Sequence, residues 1–145
     1  MGHLILSYQD ARRALDAISA ELARRSLSAV IAVTDDHGEL IALMRMDGAP
    51  LSSIVNAANK AWTAARERRP SVEVGRAVRH PESGFDIAYY GDRRYIGWGG
   101  GVPVVIDDTV IGAVGVSGVP EAVDMEMAAM GVAVIVRQRG VSEDT

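Results

Sequence analysis

Lys60 is the single lysine among fifteen basic residues; the other fourteen are arginine. An ammonium can lose its proton when partly buried, whereas a guanidinium stays charged, so this position is a candidate acid/base. Arg45 can grip a carboxylate in a two-pronged contact, Asp47, Asp124 and Glu126 supply carboxyl groups, and Ser117 supplies a hydroxyl. That set suits proton transfer without a cofactor on a small organic acid, as in a tautomerase, hydratase or lyase. Lys60 would move the proton, Arg45 would hold the substrate and Asp124 would be the second catalytic group. No histidine stands in a context that would pair with Ser117, so no nucleophilic triad is expected. Carboxylates such as Asp124 at the start of a helix also have a plain explanation in the helix dipole.

A second chemistry is suggested by the aromatics. Five of the chain's seven, Phe85, Tyr89, Tyr90, Tyr95 and Trp98, fall between residues 85 and 98. Aromatic surface joined to one cation, here Arg45 or Lys60, is what a flat dianionic macrocycle such as haem needs. Of the three histidines, His3 stands near the start of the chain and His37 in a turn, which leaves His80, flanked by Arg79, Pro81 and Glu82, as the best axial ligand. None has the i, i+4 spacing of a helical zinc pair, so no metal site is expected. The absence of cysteine excludes disulfides, thiolate catalysis, iron–sulfur clusters and cysteine-type zinc sites.

Residues 97–118, GWGGGVPVVIDDTVIGAVGVSG, hold seven of the fifteen glycines. They do not make a phosphate cradle, because GWGGGV lacks the final glycine of the dinucleotide fingerprint and runs into a strand, and no GK[ST] occurs. Glycine within a strand marks a bulge or a close backbone approach. Gly100 and Gly101 then shape the opening beside Trp98, and Gly112, Gly115 and Gly118 lower the strand's walls for a helix or a flat ligand.

The elements that must carry these residues follow from periodicity. Ala11, Ala14, Leu15, Ile18 and Leu22 recur at helical spacing, with Ser7 as N-cap and Asp10 at the positive end of the dipole. SAVIAVTD, a turn at DDHG and ELIALMRM predict a β-hairpin. A second helix starts at Ser52 or Ser53, carries Ile54, Ala57, Ala58, Ala61, Trp62 and Ala65 on one stripe, and stops before Pro70. Residues 70–96 show no period and read as a long loop. VPVVI, Asp107-Asp108 and TVIGAVGVSG predict a second hairpin, apolar on both faces. Pro120 and Glu121 open a last helix with Gly140 as its stop. Two hairpins separated by a helix favour an antiparallel α+β sheet over a parallel one.

Length and charge bound the rest. A chain of 145 residues is read as one domain spanning 1–145. The net charge of -4, without basic blocks, argues against a nucleic-acid partner. No apolar run approaches the roughly 18 residues of a membrane span and no leader pattern is seen, so a cytoplasmic location without membrane contact is expected.

Several motifs in one order resemble the GlcG/HbpS family, the haem-degrading or haem-binding domain also found at the C-terminus of some PduO proteins. They are Asp35, Gly38 and Leu40; Arg45 to Asp47 with Ala49; Lys60, Ala61, Thr63 and Ala64; Gly100, Gly101 and Pro103; Gly112 with Gly115 to Gly118; and Asp124, Ala128 and Gly131. The resemblance covers residues 8–138. It implies a profilin-like α/β/α fold with an antiparallel sheet of about five strands flanked by helices, a homo-oligomer, and haem or a related tetrapyrrole as ligand. Beside it stand the residues read above: His80, Tyr95, Trp98, Gly100, Gly101 and Ser117 as the candidate cofactor-binding residues, and Lys60, Arg45 and Asp124 as the catalytic ones should the domain be an enzyme.

Overall fold

The structure is a computed structural model and describes residues 5–143; His3 lies outside them. Helix α1 (Tyr8–Arg24) leads into strands β1 (Val30–Asp35) and β2 (Leu40–Arg45), then helices α2 (Ser53–Glu67) and α3 (Ser71–Val78). A short 3-10 helix (Ile87–Tyr90) precedes strands β3 (Gly101–Ile106) and β4 (Thr109–Ser117), and α4 (Glu121–Glu143) is the last element among the described residues.

Ser7 caps α1 as its position predicts. Its hydroxyl accepts from the Asp10 N–H while the Asp10 carboxylate accepts from the Ser7 N–H, each at 3.0 Å, so two orphan donors are satisfied reciprocally. At this same end of α1, Arg139 from α4 donates to Asp10 at 2.7 Å, tying the two helices. The Asp107-Asp108 turn holds both residues at positive φ, the geometry whose twist matches the flanking strands of a two-residue hairpin.

The two hairpins form one antiparallel sheet in the order β2-β1-β4-β3. It has four strands among the described residues, those of the two hairpins read from the sequence and one fewer than the resemblance implies. Alternation along the strands sorts the core into two layers. Ile31, Val33, Val114 and Val116 pack with Leu15, Ile18, Met127 and Ile135 of α1 and α4 on one face. Val30, Ala32 and Ala113 meet Ala57, Ala61, Ala64 and Ala65 of α2 on the other. The small residues bring α2 close. A side chain at Gly115 would collide with the Ala57 carbonyl, so this strand glycine is a packing requirement.

Two sequence expectations change. Ser71–Val78, within the stretch that shows no period, forms α3; its buried face is only Ser71, Val74 and Gly75, too few positions to register as a stripe. Gly140 does not stop α4, which continues to Glu143. No helix among the described residues is long and apolar enough to cross a membrane.

Candidate functional site

The end of β4 brings α2 and α4 together around a polar cleft of about 380 Å³. From α2 come Ser53, Asn56 and Lys60, on successive turns facing the sheet; from the end of β4 come Ser117 and Gly118; from α4 come Glu121 and Asp124; and Trp98 forms one wall. Lys60 and Asp124 are only 2% and 3% exposed. The Lys60 ammonium donates to Asp124 Oδ2 and to the Val116 carbonyl oxygen, both at 3.0 Å. Asp124 Oδ1 also accepts from the Val119 N–H at 3.3 Å. Burial pushes the Asp124 carboxyl above the usual carboxylate range, against the opposing pull of the Lys60 charge.

Hydroxyls line the cleft beside this pair. Ser117 and Ser53, both buried, stand 3.2 Å apart through their Oγ atoms. The Glu121 carboxylate accepts from the Gly99 N–H at 2.7 Å, fixing the loop that carries Trp98. Gly100 and Gly101 lie against Lys60. A Cβ at Gly100 would lie 3.0 Å from the Lys60 Nζ, and one at Gly101 would collide with the Lys60 carbonyl, so the two glycines let the loop pack closely against Lys60. Gly100 also has φ +125, which side chains rarely adopt.

On its other side Trp98, 58% exposed, lines a second depression. This groove, about 370 Å³, is walled by Val78, Phe85, Ile87 and Ile96 with Arg79 at its edge. The indole is thus shared by an apolar groove and a polar cleft.

Lys60, Asp124, Trp98 and Ser117 therefore meet at one place, with Gly100 and Gly101 packed against Lys60. The other candidates lie elsewhere. Arg45 and Asp47 are exposed, at and just after the end of the edge strand β2, and line neither cavity. Glu126 pairs with Arg25 at 2.6 Å. The Tyr95 ring stacks on Tyr90 at 3.9 Å and meets Trp62 edge-on, while its hydroxyl donates to Glu67 at 3.2 Å. His80 is exposed, and its Nδ1 accepts from the Glu82 and Ser83 N–H groups at 3.2 Å each. In the neutral ring that places the proton on Nε2, so ligation through Nε2 requires giving up these turn contacts.

Sequence reasoning missed Asn56, Glu121 and Arg79. Asn56 carries one detectable signal: Ser53, Asn56 and Lys60 recur at three and four residues, a polar stripe on a helix whose neighbouring face is alanine. Nothing local marks Arg79, one of fourteen arginines.

The family model for the haem degrading protein HbpS-like family matches residues 6–133. The chain belongs to this HbpS-like family. Protein GlcG of Escherichia coli K12 is 40% identical over 115 residues, which cover 79% of this chain and 82% of GlcG. Among solved structures, Klebsiella pneumoniae ORFY superposes on this HbpS-like chain with a TM-score of 0.86 at 29% identity, covering 93% of this chain and 94% of ORFY. A PduOC domain solved as a haem complex gives a TM-score of 0.84 at 26% identity, over 90% and 95% of the two chains. The fold expected from the sequence is the fold of these relatives.

Proposed function

We propose that this HbpS-like chain is a haem-related binding domain that takes haem or a related tetrapyrrole on the apolar groove beside Trp98. The observation that carries the reading is the groove itself. Trp98 and Phe85 are 58% and 43% exposed, although an indole and a phenyl ring are costly to leave in water. They share their groove with Val78, Ile87 and Ile96 and a single cation, Arg79. These residues fit the group: the apolar wall suits the porphyrin face and the guanidinium suits a propionate. The solved haem complex of the PduOC relative supports the same ligand class.

Bound haem would supply an iron for redox or oxygen chemistry. The chain's contribution is the platform. His80 is engaged in its own turn, so the reading rests on face and charge rather than on an axial bond. Leu51 and Val55, 75% and 61% exposed at the start of α2, support self-association of the domain, which light scattering measures directly.

Haemin titration followed at the Soret band tests the reading. Saturable binding at micromolar protein is expected, with Trp98→Ala weakening it at least tenfold, about 1.4 kcal/mol. Protoporphyrin without iron should bind within about tenfold of haemin, since the groove supplies no axial ligand. A Soret band unchanged by the protein overturns the assignment.

A further inference from the structure

The haem reading leaves the acid–base pair at the floor of the polar cleft without a role. Lys60 and Asp124, 2% and 3% exposed, could serve the fold alone, yet both also line the cavity of about 380 Å³. Neither group is saturated. The ammonium has three donors and uses two, on Val116 and Asp124, while each Asp124 oxygen accepts one bond and keeps a lone pair. Gly100 packs against the pair, and a Cβ there would lie 3.0 Å from Nζ and 3.1 Å from the Asp124 Cβ, so a side chain at this position would crowd it.

Charge selects the ligand class. The cleft holds one positive group, Lys60, against two negative ones, Asp124 and Glu121, and Arg45 does not line it. A carboxylate would meet no spare cation, so the small organic acid expected from sequence is a poor occupant. A neutral molecule rich in hydroxyl groups is a good one, because Ser53, Asn56 and Ser117 offer donors and acceptors without charge.

We propose that the cleft catalyses proton transfer on small neutral α-hydroxycarbonyl compounds, with Asp124 as base and Lys60 as acid. The Asp124 carboxylate takes the proton from the carbon bearing the hydroxyl. The C–H electron pair forms the carbon–carbon double bond of an enediol, and the carbonyl oxygen takes a proton from the Lys60 ammonium. In the return step Asp124 delivers its proton to the neighbouring carbon, and Lys60 recovers one from the other hydroxyl, so the pair ends as it began. No oxidant, metal or water is consumed. The burial that raises the Asp124 proton affinity also makes it a better base.

The test uses the haem-free chain in D2O with glycolaldehyde and dihydroxyacetone as probes, following loss of their C–H signals by proton NMR. Exchange should be first order in protein and exceed the buffer rate. Asp124→Asn should lower it by about 10²-fold or more. Because a single change strands a buried charge, the variant Lys60→Met/Asp124→Leu removes the pair while keeping a cooperative unfolding transition, and it should show buffer exchange only. Ser117→Ala, which alters no charge, should raise KM several-fold with a smaller effect on kcat. Wild-type protein that does not accelerate exchange overturns the proposal, as does a folded double variant that exchanges like wild type. Haemin titration reads the apolar groove, so failure of the two ideas is separable.

Discussion

The Lys60 ammonium stands 3.0 Å from Asp124 Oδ2, so α2 and α4, which pack on opposite faces of the sheet, are joined beyond the end of β4. This contact is at once the floor of the polar cleft and a clasp across the two layers.

Breaking the clasp from one side should cost far more than replacing it. Lys60→Met leaves Asp124 buried without its cation and should lose about 3–5 kcal/mol at neutral pH, read from urea unfolding. The double change Lys60→Met/Asp124→Leu should recover most of that loss, because neither charge then needs solvation. Equal losses in the single and double variants would show that the two side chains are not coupled.

The pair also sets a pH dependence. Burial raises the Asp124 pKa above the unfolded value near 3.8, so between that value and the folded one the native state binds more protons than the unfolded state. The stability this carboxyl contributes is therefore greatest at acid pH and falls as pH rises through its folded-state pKa. Compared with Asp124→Asn across about pH 4–7, wild type should lose relative stability as pH increases. A difference that grows with pH would contradict the burial-dominated shift.

Glycines on the two helix-bearing elements should respond oppositely to one methyl group. Gly115→Ala drives a Cβ into the Ala57 carbonyl and should cost about 1–3 kcal/mol or more, since a backbone-to-backbone approach cannot relax by a rotamer change. Gly140→Ala in α4 meets nothing within 4 Å and should stabilise by about 0.5–1 kcal/mol. Thermal melts of the two variants should bracket the wild-type midpoint.

Arg79 should matter to the porphyrin's carboxylates rather than to its ring. Arg79→Ala should weaken haemin binding by about tenfold, about 1.4 kcal/mol, and reduce its salt dependence. It should leave the dimethyl ester of the same porphyrin nearly unaffected. Equal loss for acid and ester would place Arg79 in the apolar wall instead.

Much of the fold was legible locally. The stripe Ala11, Ala14, Leu15, Ile18 and Leu22 became the buried face of α1, Ser7 became its cap, and both hairpins formed around their turn residues. These are near-neighbour effects, in which spacing and capping chemistry decide the outcome within a few residues. Helix α3 was not legible, because eight residues with three buried positions give no usable period. The count of about five strands came from the resemblance, whereas the two hairpins read from the residues already give the four that form the sheet.

For the site, residue type alone singled out Lys60, Trp98 and Asp124, and motif order tied Lys60 and Asp124 to one family. What sequence could not supply is distance. Lys60 and Asp124 are 64 positions apart, and only the packing of α2 and α4 around one strand end makes them hydrogen-bond partners. The same packing leaves Arg45 outside on β2 and brings in Asn56, Glu121 and Arg79. The chain's own chemistry determined which groups were available, and the tertiary structure decided which of them share a low-dielectric cavity, because proximity and burial are properties of packing and not of any residue by itself.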